Sequence, residues 1–178
     1  MQKYATFDAY PSFSYQIITH LIDSPDAEII WRLLKYDTND AFAKPNLTRD
    51  EKKAMIYDGG SIATDFRVFI DQGNADSVTE IMTLMRIYPL ALIPENYTNG
   101  VASINFEVYS HSETNTMKNR RTKIDTIVQA LIKSPNGKDV KGLGVLFFNA
   151  NRSRYDKIIA VGLTPFKGKC LTMSTNIS

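Results

Sequence analysis

Residue types that act as nucleophiles, bases or metal ligands are scarce in this sequence, and their placement limits what they could do. The chain holds two histidines, His20 and His111, and one cysteine, Cys170. His111 offers the only arrangement with a catalytic form. It stands in Tyr109-Ser110-His111-Ser112-Glu113, where hydroxyl, imidazole and carboxylate are neighbours along the chain. Nucleophilic catalysis needs the base within hydrogen-bond reach of the nucleophile. Alternation along an extended strand sends Ser110 and His111 to opposite faces, so the two are not expected to meet. His20 lies in an apolar stretch and reads as a packed or surface residue. One cysteine and two distant histidines give no recognisable ligand spacing, and the acidic residues form no calcium loop. Gly142-Leu143-Gly144 lacks the third glycine of a dinucleotide loop and there is no P-loop pattern, so these glycines predict a tight entry into a strand. The residues predict a protein that is not an enzyme and requires no cofactor.

Charge is the other chemistry to weigh. Lys118, Arg120, Arg121 and Lys123 surround the start of a helical stretch, and Arg152, Arg154 and Lys157 follow Phe147-Phe148. Cations at a helix N-terminus oppose its dipole, each at about a few tenths of a kcal/mol. A sequence that carries four of them is either solvating that face or using it, against DNA backbone or an acidic neighbouring subunit. Among 178 residues, 21 basic side chains face 19 acidic ones for a net charge of +2. That is too little excess for a dedicated nucleic-acid binder. The lone cysteine excludes an internal disulfide and suits a reducing compartment, where it would serve as a small buried hydrophobe. The first residues lack the apolar stretch of a signal peptide, and no window is apolar for long enough to suggest a membrane span.

The elements that would position these groups follow from the periodicity. Residues 1–60 read as a helical region. Ser24-Pro25-Asp26 is a helix start, followed by the stripe Ile29, Ile30, Leu33 and Leu34. A shorter helix is expected over Tyr15 to Ile22. Thr48-Arg49-Asp50-Glu51 has the form of a capping box and opens a helix carrying Met55 and Ile56, closed by Gly59-Gly60. Residues 61–178 then change period. Phe66 to Ile70, Ile81 to Tyr88 and Ala102 to Tyr109 alternate as strands. Pro89 and Pro94 make the segment between them an edge or an extended arm. Tyr109 to Lys123 reads as a polar loop or hairpin arm. Ile124, Ile127, Val128, Leu131 and Ile132 form one helical stripe, ended by Ser134-Pro135-Asn136-Gly137. Strands are expected at Leu143 to Phe148, Lys157 to Leu163 and Lys169 to Ser174. The expected fold class is α+β: N-terminal helices, then a mostly antiparallel sheet with one long helix packed on a face.

Two stretches carry a resemblance. Asp26-Ala27-Glu28-Ile29-Ile30-Trp31-Arg32-Leu33-Leu34-Lys35-Tyr36, through Leu47-Thr48-Arg49-Asp50-Glu51-Lys52-Lys53 to Asp58-Gly59, resembles a recurrent segment of phage structural proteins. The second half resembles the tail-terminator fold of long-tailed bacteriophages, used also by neck (head–tail connection) proteins of contractile-tailed ones. The carrying residues are Phe106-Glu107-Val108-Tyr109-Ser110-His111, then Arg121, the helix Ile124 to Ile132, and Gly142-Leu143-Gly144 with Leu146. The resemblance implies a structural virion protein assembled in the host bacterial cytoplasm. Copies of it would close into a homo-oligomeric ring, a hexamer by analogy. That ring would terminate the tail tube and join tail to head, leaving a channel for DNA. Its partners would be other copies of itself, the tail-tube protein and portal-side connector proteins, with no membrane. The helical N-terminal region is longer than a minimal terminator needs, which leaves room for another connector ring contacting the portal.

Ring closure requires a head-to-tail contact. The residues expected at the subunit interface are Ile81, Met85, Ile87, Tyr88, Leu90, Leu92, Tyr97, His111 and Arg121. Lys118, Arg120, Arg152 and Arg154 are expected to face the channel or an adjacent ring. A nucleic-acid-binding module is the alternative, stacking bases on Tyr109, Phe147, Phe148 and Tyr155 beside Arg152 and Arg154. A hydrolase at His111 would instead lose its activity in His111→Ala.

Overall fold

The apolar stripes of the first sixty residues form α1 (Phe13–Asp23) and α2 (Glu28–Lys35), and the polar stretch after Thr48 forms a third short helix, α3 (Arg49–Ala54). The computed structural model describes residues 7–57, 59, 66–71, 80–95, 99–148, 157–158 and 166–177. Ser24-Pro25-Asp26 starts a helical segment as expected, but its first turn, Pro25–Ala27, is a 3-10 turn leading into α2. The Ser24 hydroxyl makes no cap bond and accepts from Ser134 Oγ at 3.0 Å. The capping box is real. Glu51 N donates to Thr48 Oγ1 at 3.3 Å and Thr48 N to Glu51 Oε2 at 2.8 Å, satisfying two end donors of α3. That helix ends at Ala54, earlier than its sequence suggests, because Ile56 leaves it to bridge Val68 in parallel.

The strands are β1 (Val68–Phe69), β2 (Thr83–Pro94), β3 (Gly100–His111), β4 (Asp139–Val140), β5 (Gly144–Phe147), β6 (Lys157–Ile158) and β7 (Phe166–Ile177). Two helices lie between β3 and β4: the short α4 (Ser112–Asn115) and α5 (Lys123–Lys133). The sheet runs β1-β2-β3-β7-β5-β4, with β6 also on β7. Among the described strands β1 and β2 pair in parallel and the other strand pairs are antiparallel. β3 and β7 pair along all twelve residues, Gly100 with Ile177 through His111 with Phe166, so the C-terminal strand lies at the centre of the sheet. Of the segment Phe66 to Ile70 only Val68 and Phe69 are strand, and Ile70 is exposed. Of the expected strand Lys157 to Leu163, Lys157 and Ile158 pair with β7 and the rest lies outside the described residues.

One apolar core joins the helical region to the sheet. Ile17 and Leu21 of α1, Trp31 and Leu34 of α2, and Ile127 and Leu131 of α5 meet Met85, Phe106, Leu171 and Met173 of the sheet. Burying each such side chain stabilises the fold by about 1.5–3 kcal/mol. Trp31 is fully buried and its indole N–H donates to Leu21 O at 2.9 Å. The N-terminal helices are therefore part of the same core as the sheet, while Phe69, Met82, Leu84, Tyr109 and Phe166 form a smaller separate cluster. The fold is α+β, with the helices and α5 on one face of a mostly antiparallel sheet.

Candidate assembly surface

The polar stretch 109–123, read from sequence as a loop or arm, is a folded connector. β3 continues to His111, whose Nδ1 accepts from Glu113 N at 3.3 Å and so caps α4. The same ring stands edge-on to Phe166, 5.4 Å between centroids. Ser110 faces away and shares a 3.0 Å hydrogen bond with Thr83 Oγ1. His111 is thus buried and structural, at a strand end. Asn115 Oδ1 then accepts from Ile124 N at 3.3 Å, and Thr122 Oγ1 from Asp125 N at 3.1 Å, so two side chains satisfy the first donors of α5. Between them lies a tight turn, closed by Met117 N to Arg121 O and Arg120 N to Met117 O, each 2.9 Å. Met117 points into the core, while Lys118, Arg120 and Arg121 are exposed. Arg120 takes a left-handed conformation, φ 62°, which costs a residue with a Cβ about 1–2 kcal/mol.

Lys123 leaves this exposed group. It is fully buried, and its Nζ donates to Tyr36 O at 2.8 Å. Beside it, Asp37 accepts from Arg67 Nη2 at 3.2 Å and from Thr83 N at 3.0 Å. Burial lowers the Lys123 amine to about 8, against the pull of Asp37. Burial likewise raises the Asp37 carboxyl, against Arg67 and Lys123. This cluster fastens the end of α2, β1, β2 and the start of α5 to one another, which fixes the arginine turn in place.

The second exposed region is the far half of β2. Its register with β3 slips between Pro89 and Ala91, which leaves Leu90 as an extra residue, half exposed. Ile93 is 52 % exposed, and Leu92 packs partly against the core. On the outer edge, β1 pairs with Met85 and Arg86, and no described strand pairs with 87–94. Ile81, just before β2, is 47 % exposed. Met85 and Ile87, expected at the subunit interface, instead pair with Val108 and Phe106 and lie fully inside the core, so they are not surface groups of this chain. Tyr88 is also buried, on the opposite face. Tyr97, Arg152 and Arg154 lie outside the described residues, as does Tyr155.

That opposite face carries a polar layer that the sequence reading did not single out. Glu107 accepts from Tyr88 Oη at 2.6 Å and from Tyr109 Oη at 3.0 Å. Asn105 donates to Tyr88 Oη at 3.2 Å and accepts from Thr172 Oγ1 at 2.6 Å, and Ser103 and Ser174 share a 3.2 Å bond. Burial and the Glu107 carboxylate push the Tyr88 hydroxyl up to about 12 and raise that of Tyr109 as well. The hint was the polar half of the alternation in β3, Ser103, Asn105 and Glu107. Tyr109 is therefore no open stacking platform for a base, whereas Phe147 is half exposed.

Arg121 and Arg120 open onto a groove between α5 and α2. Arg121, Thr126 and Gln129 line two adjoining clefts, of about 370 and 320 Å³. Ile29, Arg32, Phe42 and Lys133 continue the second, with the Arg32 guanidinium 5.8 Å from the Phe42 ring centroid. A larger, mostly apolar cleft of about 690 Å³ lies beside α1, where His20 Nε2 is 3.4 Å from Ser134 O. Among the described residues no cluster of acidic, histidine and cysteine side chains could hold a metal ion, and no helix is long and apolar enough to cross a membrane. Comparison with curated proteins gives no match. The match is to a family model, YomW, over residues 27–175, from the 3-10 turn before α2 to near the end of β7. The chain accordingly belongs to the YomW family, whose name is phage-derived, of the SPbeta-like Bacillus phage type.

Proposed function

We propose that this chain is a structural protein of the phage neck. Copies of it would form a ring that terminates the tail tube, joins tail to head and leaves a channel for DNA. The observation that carries the reading is the outer half of β2, where Leu90 and Ile93 are exposed on an edge that no described strand pairs with. An exposed apolar edge strand is a template for association. The phage-derived family and the exposed Lys118, Arg120 and Arg121 support the same reading. The cations would face the channel or an adjacent ring, and the mechanism is binding, with no bond made or broken. The test is deletion of the gene in a phage that carries it, with imaging of the particles. Filled heads accumulating beside unjoined or over-length tails is the expected result. Normal, infectious particles would overturn the proposal.

A further inference from the structure

Two unsatisfied surfaces lie at opposite ends of β3. Toward its Gly100 end, the outer half of β2 presents Leu90, Ile93 and, just past the strand, Glu95, all exposed. Glu95 uses its backbone, N to Asn99 O at 2.9 Å, and its carboxylate has no ion-pair partner among the described residues. At the His111 end, the arginine turn opens the α2–α5 groove, whose walls combine the apolar Ile29 and Phe42 with the cationic Arg32, Arg121 and Lys133. The two carboxylates in that groove are already engaged from outside it: Asp26 with Lys138 at 2.6 Å, Asp125 with Lys169 at 2.5 Å. Arg120 and Arg121 have no acidic partner among the described residues. β3 spans eleven steps of ~3.3 Å, so its Gly100 and His111 ends lie about 36 Å apart.

We infer that the outer half of β2 in one copy docks in the α2–α5 groove of the next, with Leu90 and Ile93 against Ile29 and Phe42 and the Glu95 carboxylate against Arg121. The contact rests on the ring reading and specifies its geometry. Joining two different patches is heterologous, the arrangement that closes into a ring when its rotation permits. Apolar contact with one central charge pair gives both adhesion and register. DNA backbone fits the groove less well, since Asp26 and Asp125 stand in its walls.

The experiment uses Glu95→Arg and Arg121→Glu, each alone and mixed in equal amounts, with mass read by sedimentation across a concentration series. Both positions are exposed, and circular dichroism with a melting curve checks that each variant folds. Each single variant places like charges opposite each other and should weaken self-association at least tenfold. In the mixture opposite charges meet wherever the two variants alternate, which an even-membered ring allows at every junction, so assembly should return to near the wild-type level. Single variants that assemble like wild type, or a mixture that does not recover, would overturn this contact and leave the ring reading standing. A wild type that stays monomeric throughout would overturn both.

Discussion

Lys123 gives the sharpest thermodynamic prediction, because a buried amine has an effect that can be worked from one number. Its amine titrates near 8 in the folded chain against 10.5 ordinarily, burial being the cause. A depressed base binds fewer protons folded than unfolded between those values, so stability rises as pH climbs from about 8 to about 10.5. The difference corresponds to about 3 kcal/mol, a penalty present in full below pH 8. Lys123→Met removes the charge, while Asp37 keeps Arg67 and the Thr83 amide. It also strips Tyr36 O of its donor, at about 1–3 kcal/mol. The two effects nearly cancel at pH 7, where the variant should lie within about 2 kcal/mol of wild type. The assay is urea unfolding of both proteins at pH 7, 8, 9 and 10. The wild type should gain on the variant by roughly 2–3 kcal/mol across that range. The tyrosines of the polar layer titrate identically in both and drop out of the difference. A flat difference, or a loss above about 4 kcal/mol at pH 7, would mean that Lys123 is not a depressed amine held at a cost.

Other consequences are simpler to read. Trp31→Ala should lower stability by about 3–5 kcal/mol in denaturant melts, because it empties the centre of the core and frees Leu21 O. Gly168→Ala places a Cβ 2.9 Å from the Tyr109 ring, which its bond to Glu107 holds in place, so a loss of about 1–3 kcal/mol is expected. Asn115→Ala removes the acceptor at Ile124 N; about 1 kcal/mol of stability should go, with faster amide exchange in the first turn of α5.

The elements legible in the sequence were those with a strong period or a local motif. The α5 stripe, the alternation of β3 and the Thr48–Glu51 box each needed only neighbours along the chain. The extent of β7 was hidden because Lys167, Thr172, Ser174 and Asn176 interrupt its apolar positions, and only pairing with β3 makes them strand residues. The polar stretch 109–123 looked like a loop because Thr114 and Asn115 are polar, yet both are buried, and Asn115 caps α5. Met85 and Ile87 sit in a run that is apolar on both faces, so pattern alone could not separate core from contact. Lys123 was grouped with exposed cations because Asp37 and Tyr36, its neighbours in space, lie almost ninety positions earlier. The α2–α5 groove joins residues far apart in sequence and had no linear signature beyond Arg120 and Arg121.

Self-assembly shows in the mass of the full chain across a concentration series, read by light scattering after size exclusion at low and high salt. A concentration-driven passage from monomer to one discrete closed oligomer is expected, weakened by salt where the Glu95–Arg121 pair contributes. A monomer at every concentration that instead binds DNA, with affinity falling steeply as salt rises, would contradict it.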